Sequence, residues 1–182
     1  MSTLFTVGHS TRSLSELVAL LREAGVDLVV DVRRYPASRR FPHFSRESLE
    51  EALPRAGIEY RHEPAMGGRR RLQGDSPNGW WRSEGFRAYA DHLASEEFQD
   101  ALRRLEAEAA ERAPAVMCAE IVPWRCHRQL VADALVARGH EVVHLLEAGK
   151  SEPHVLNEAA RVEDGGRLVY PAPEKDQLEL LE

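Results

Sequence analysis

The run Leu28-Val29-Val30-Asp31-Val32 constrains this chain most. A strand with one wet face alternates apolar and polar residues. One that is apolar at nearly every position must be covered on both faces, as in a parallel sheet between helical layers. The neighbouring segments keep that rhythm. Leu4-Phe5-Thr6-Val7 reads as a first strand, closed by Gly8-His9-Ser10. Ser13 precedes an amphipathic stretch (Leu14, Leu17, Val18, Leu21) with Glu16 at the capping-box position, which predicts a helix to about Ala24, stopped by Gly25. A helix over 45–56 with Ser45 as cap, a strand at Ile58–Tyr60, a glycine-rich loop over 64–82 and helices near 83–93 and 96–112 follow. Ala115–Cys118 is a strand, Arg125–Arg138 a helix stopped by Gly139, and Glu141–Leu146 a strand.

Strand and helix in alternation imply an α/β fold: a single domain over 1–170 with a mostly parallel central sheet and helices on both faces. The acidic C-terminal segment 171–182, with Glu174, Asp176, Glu179 and Glu182, reads as a peripheral tail. No internal repeat is visible. No apolar run approaches the roughly 18 residues of a membrane span, and the first ten residues lack the pattern of a secretory signal, so no membrane partner is expected. Two cysteines cannot make a multi-bridge framework, which fits a reducing cytoplasm.

In a parallel sheet the functional crevice lies at the carboxyl ends of the strands. The conspicuous polar residues fall there: His9 and Ser10 after the first strand, Asp31 and Arg33 after the second, Cys118 and Glu120 after a later one. The richest stretch is Cys118-Ala119-Glu120-Ile121-Val122-Pro123-Trp124-Arg125-Cys126-His127-Arg128. Residues two apart at a strand end share a side, so Cys118 and Glu120 are expected to face one pocket. Pro123 suits a first helical turn, which puts Cys126, His127 and Arg128 near a helix N-terminus, where thiolates and anions are favoured. There Cys126 or Cys118 is the candidate nucleophile and His127 or His9 the acid/base. Glu120 would carry or orient a proton. For Cys126 the plainer reading is a small buried hydrophobe, since it stands four residues before Leu130 and eight before Ala134, on the helix's apolar stripe.

From Arg33 to Arg46 the chain carries five arginines and no acid, interleaved with Tyr35, Phe41, His43 and Phe44, and Arg69-Arg70-Arg71 adds a second basic cluster. Guanidinium groups bind phosphate bidentately and aromatics stack on bases. A nucleic acid or a phosphorylated small molecule is therefore the expected partner, with Ser10, Asp31, Arg33, Arg39 and Arg128 on the substrate side. The formal charge of −6 argues only against binding through net charge. Arginine outnumbers lysine 22 to 2, so clustering carries weight and single arginines do not. Asp31 and Arg33 could equally pair with each other. No Walker or Rossmann glycine pattern appears, and the sequence names no cofactor. His144 on an apolar strand reads as a satisfied core histidine; His62, His92 and His140 read as surface or strand-edge residues.

The combination Thr6-Val7-Gly8-His9-Ser10, Asp31-Val32-Arg33 with Pro36, Ser38 and Arg39, Met66-Gly67-Gly68, and Cys118-x-Glu120 followed by Cys126-His127-Arg128 resembles a prokaryotic family described only as domain of unknown function 488. The His144 strand and His154 are similar to its C-terminal pattern, so the resemblance runs to about residue 170. It implies the fold and the pocket residues, and no reaction. Three functions stay open on the sequence: an enzyme using this Cys/His/Glu/Arg pocket; a metal-binding protein whose ligands are Cys118, Glu120, Cys126 and His127; and a non-catalytic nucleic-acid module using the arginine loop.

Overall fold

The computed structural model describes residues 1–174. Five strands run parallel: β1 (Thr3–Gly8), β2 (Leu28–Asp31), β3 (Glu59–His62), β4 (Pro114–Cys118) and β5 (Glu141–Glu147). β6 (Lys150–Pro153) pairs antiparallel with β5 and completes a sheet of order β3-β2-β4-β1-β5-β6. A small ribbon, β7 (Arg161–Val162) and β8 (Leu168–Val169), lies outside it. Among the described residues no helix is long and apolar enough to cross a membrane. Of the expected acidic tail, residues 175–182 lie outside the described residues.

The α-helices are α1 (Leu14–Glu23), α2 (Arg46–Arg55), α3 (Glu84–His92), α4 (Glu96–Ala109) and α5 (Arg128–Ala137). Their placement follows from the handedness of parallel crossovers. The steps β1→β2 and β2→β3 move in one direction along the sheet, which puts α1 and α2 on one face. The steps β3→β4 and β4→β5 move the other way, which puts α3, α4 and α5 on the opposite face. The two cores show the division. Val29, Ala115, Met117 and Leu145 pack with Leu17, Leu21, Leu49 and Leu53, whereas Val30, Val116, Cys118 and Val142 pack with Leu102, Leu105, Leu130 and Leu135. Strand period two sends alternate residues of β2 and β4 into different cores, which is why both strands are apolar throughout.

The local signals act as expected at the helix starts. Ser13 and Glu16 form a reciprocal capping box on α1, and Ser45, Ser83 and Ser95 cap α2, α3 and α4. The third strand begins at Glu59, one residue past Ile58, which lies buried at its entry. A larger correction concerns α5. It begins at Arg128, after a single 3₁₀ turn at Pro123–Arg125. Cys126 sits between the two in extended backbone (φ −132°, ψ 149°), outside the helix, yet it packs in the same core as Leu130 and Ala134.

One buried polar chain ties α5 to the sheet. Asp133 Oδ1 accepts from His154 Nε2 at 2.7 Å, His154 Nδ1 meets His144 Nε2 at 2.9 Å, and His144 Nδ1 meets Thr6 Oγ1 at 2.6 Å. Tyr170 donates to Asp133 Oδ2 at 2.7 Å, fastening the segment after β8 to the same carboxylate. His144 is thus a partnered core histidine, as its strand position implied.

Candidate functional site

β4 stands between strands whose outgoing connections take the other face: β1 and β2 lead to α1 and α2, and β4 leads to α5. This is a topological switch point, where a crevice must open outside the strand ends. The crevice is there, a cleft of about 760 Å³ lined by residues that follow β1, β2 and β4. Its seam is narrow. Gly8 and Cys118 are register neighbours, and the amides of His9 and Ser10 donate to the carbonyls of Cys118 and Ala119, each at 3.0 Å. A Cβ on Gly8 would lie 1.8 Å from the Glu120 carbonyl oxygen, so only glycine lets the two strand ends meet.

The two thiols lie at the floor of the cleft, free and both buried, at 2% and 6% exposure for Cys118 and Cys126. Cys126 Sγ donates to Cys118 Sγ at 2.9 Å and accepts the Arg128 backbone N–H, the first amide of α5, at 3.5 Å. The Glu120 carbonyl, 3.5 Å from Cys118 Sγ, accepts the Cys118 proton in the thiol form. Burial alone would raise the Cys118 pKa. The S–H from Cys126 and the Arg128 guanidinium outweigh it and hold Cys118 below the ordinary thiol value. The bond to Cys118, and then burial, push Cys126 well above it. The pair therefore shares its protons unequally: Cys118 is the more acidic thiol and Cys126 the donor. The sequence left either cysteine as the nucleophile; proximity to the helix N-terminus favours Cys126, and the S–H bond favours Cys118. The α5 amide does reach Cys126, yet Cys126 spends its own proton on its neighbour.

The direction of the S–H bond sets this asymmetry, since Arg128 favours the thiolate of either sulfur. Arg128 is fully buried, at 0% exposure, and one Nη donates to the Ile121 carbonyl at 3.1 Å, while Nε and the other Nη have no partner among the described residues. It does not line the cleft. Its guanidinium lies beneath the thiols as a fixed positive charge, in place of the substrate contact expected from the sequence.

His127, the residue before α5, packs its ring on Tyr89 with centroids 4.8 Å apart, and its Nδ1 lies 3.6 Å from Cys126 Sγ. Burial, with Arg128 and Arg70 adding to it, lowers its pKa to about 4, so the imidazole is neutral near pH 7. Gly68 has no room for a side chain, since a Cβ there would lie 2.8 Å from His127 Nδ1. On the opposite wall His9 Nδ1 bonds the Ser10 carbonyl at 3.0 Å and Nε2 accepts from Arg33 Nη1 at 3.2 Å. Burial brings its pKa to about 4 as well. Arg33 in turn is clasped by Asp31 through two side-chain bonds, at 2.9 and 2.7 Å, and donates to the Phe44 carbonyl at 2.7 Å. Asp31 also accepts from Tyr60 OH at 2.5 Å. Asp31, Arg33 and His9 thus form a rigid buried file, and only the last two reach the cleft.

Of the residues singled out in the sequence, His9, Ser10, Arg33, Cys118, Glu120, Cys126 and His127 line one cleft. Asp31 lies behind Arg33, Arg128 lies under the thiols, and Arg39 is exposed outside the cleft. Arg34, Arg40, Arg69 and Arg125 also line it, as does the buried Tyr89. Arg125 and Tyr89 escaped the sequence reading. Arg125 had a signal in its position beside Cys126, whereas Tyr89 sits on an amphipathic helix where an aromatic reads as core. Among the described residues no group of three or more His, Cys, Asp or Glu side chains is placed to hold a metal ion. Cys118, Glu120, Cys126 and His127 therefore share a cleft without forming a ligand set.

A family model, domain of unknown function DUF488, matches residues 13–135. The chain belongs to the DUF488 family. The matched span runs from the cap of α1 through most of α5 and includes both thiols, Glu120, His127, Arg128 and the arginine clusters. His9, Ser10, His144 and His154, which also entered the resemblance, lie outside it. No curated protein and no solved structure matches the chain. In this DUF488 chain the cleft joins a charge-supported thiol pair to a cationic rim: among the described residues five arginines line it against one carboxylate, Glu120. Arg34, Arg40, Arg69 and Arg125 have no ion-pair partner among the described residues, and Arg33 is the one neutralised by Asp31.

Proposed function

We propose that this DUF488 chain is a thiol-dependent enzyme of a reducing compartment such as the cytoplasm, acting on an anionic, phosphate-bearing substrate with Cys118 as nucleophile. One observation carries the reading: a buried thiol pair, Cys126 donating to Cys118 beside Arg128, in a cleft rimmed by arginines with no ion-pair partner among the described residues. A thiolate is the reactive form of cysteine, and a fixed cation beside it is a recognised means of supplying it near neutral pH.

In the step this arrangement supports, Cys118 Sγ forms a bond to an electrophilic atom of the substrate. The leaving group departs with the bonding electron pair and takes a proton from Cys126. An acceptor, water in the simplest case, then displaces Cys118; its hydrogen-bearing oxygen goes to the substrate fragment and its proton restores the thiol pair. Arg34, Arg40, Arg69 and Arg125 bind the substrate's anionic groups, and the Asp31–Arg33–His9 file fixes the opposite wall. His127, neutral and packed on Tyr89, positions Cys126.

The test is alkylation with a neutral and an anionic reagent, iodoacetamide and iodoacetate, on wild type, Cys118→Ser and Cys126→Ser. The proposal expects Cys118 to label near neutral pH, the anionic reagent to gain relative to its rate with free cysteine, and inorganic phosphate to slow the reaction. Thiols inert to both reagents until the chain unfolds would mark a purely structural pair.

A further inference from the structure

The cleft does not end at its arginine rim. A second cavity, of about 910 Å³, adjoins it, and the two share Arg34, Tyr35 and Arg69 as a common wall. The second cavity adds Arg70 and Arg71. Its two carboxylates are engaged: Asp91 accepts from Ser76 and from Asn78 at 2.5 and 2.7 Å, and Glu97 lies 3.7 Å from Arg70. On the shared wall Tyr35 is 63% exposed, an unusual position for an aromatic ring. The guanidinium carbons of Arg34 and Arg69 stand 5.6 and 6.0 Å from its ring centroid, and Arg34 Nη1 donates to the Arg69 carbonyl at 3.0 Å. The saddle between the cavities is therefore an exposed aromatic ring flanked by two cations that are tied to each other. Across the cleft Arg40 stands over Phe41, at 5.3 Å, in a second pair of the same kind.

Resting on the reading of the cleft as an anion-binding thiol site, we infer that its substrate is a single-stranded nucleic acid that crosses this saddle. One phosphate group lies in the thiol cleft, a base stacks on Tyr35, and the next phosphates lie among Arg69, Arg70 and Arg71. The chemistry selects this class. A small phosphorylated metabolite would fill one cavity and use neither the exposed ring nor the second basic hollow. A repeating chain of phosphates and flat bases uses both, and cationic grooves with stacking platforms are how proteins hold single strands. A duplex is disfavoured because the thiols are recessed at the cleft floor, where a paired strand cannot descend.

Fluorescence polarisation with labelled oligothymidylate, its duplex with oligoadenylate, and thymidine monophosphate as competitor tests this on the whole chain. The single strand should bind at least about tenfold more tightly than either comparator, and weaken steeply with salt. Tyr35→Ala should weaken it roughly tenfold, in the range expected for one stacked base. Arg71→Ala, exposed and lining only the second cavity, should weaken it and flatten the salt dependence by about one phosphate contact. Equal affinity for the monophosphate, preference for the duplex, or a Tyr35→Ala variant that binds like wild type would each overturn the inference. So would tighter binding of a phosphopeptide of equal charge. Wild-type alkylation, read separately, keeps the two proposals apart. A reactive Cys118 without strand binding rejects the extended substrate alone, and strand binding over inert thiols rejects the enzyme alone.

Discussion

Replacing Gly8 with alanine adds one methyl group at the seam between β1 and β4. That carbon would lie 1.8 Å from Glu120 O, 2.5 Å from Glu120 C and 2.9 Å from Ile121 Cα. All three are backbone atoms, so no side chain can swing aside. Relief requires the 119–121 segment to lift by more than an ångström, which breaks the two amide bonds from His9 and Ser10 that join the strand ends. Overpacking costs about 1–3 kcal/mol and each lost hydrogen bond about 1 kcal/mol, which gives about 3–5 kcal/mol. For a chain of this length the melting temperature should fall by roughly 6–20 °C. Because Cys118 directly precedes that segment and its thiol bonds the Glu120 carbonyl, the thiol pair should be disturbed as well. Thermal melting and iodoacetamide labelling of Gly8→Ala are the assays. A variant that melts within about 2 °C of wild type, with unchanged labelling, would refute the argument that a side-chain-free position is what closes this seam.

Two further outcomes follow from buried charge and buried imidazoles. Burial lowers the pKa of His9 and His127 to about 4, and of His144 to about 3, against about 6.5 in the unfolded chain. Below about pH 6.5 the unfolded chain binds protons that the folded chain does not. Stability is therefore complete above that pH and is lost as pH falls toward the folded values, by up to about 1.4 kcal/mol per pH unit for each group. Urea unfolding midpoints at about pH 7.5 and about pH 5 should show the decrease; equal midpoints would contradict it. Asp133→Ala strands His154 Nε2 and Tyr170 OH and should cost about 3–5 kcal/mol, visible in the same urea series, whereas a loss below about 1 kcal/mol would show that the network is dispensable.

The fold was legible because its signals are local. A strand without polar alternation, serines at helix starts and glycines at helix ends each state their own element, and crossover handedness then sets the layers. β6, β7 and β8 carry no such signal: Lys150–Pro153 is exposed throughout, and its pairing comes from β5. At the site, strand-end placement brought His9, Cys118 and Glu120 together. It could not separate a residue at the cleft from one behind it, which is why Asp31 and Arg128 changed roles. Both are charged residues beside strand or helix ends, and only packing reveals that Arg33 covers the first and the thiols the second. The order of the two thiols was not legible, because the sequence shows the helix N-terminus beside Cys126 and hides the contact between the two sulfurs, which the extended backbone of Cys126 after the 3₁₀ turn allows.

Cys118 is the thiol placed to ionise first, its thiolate favoured by the Cys126 proton and the Arg128 charge. Thiolate ultraviolet absorbance, titrated against pH in wild type, Cys118→Ser, Cys126→Ser and Arg128→Met, tests it most directly. Wild type should show one thiolate titrating below the ordinary thiol pKa; it should be absent in Cys118→Ser and titrate at higher pH in both Cys126→Ser and Arg128→Met. A thiolate that survives in Cys118→Ser and vanishes in Cys126→Ser, or a wild-type chain with none below the ordinary thiol range, would contradict it.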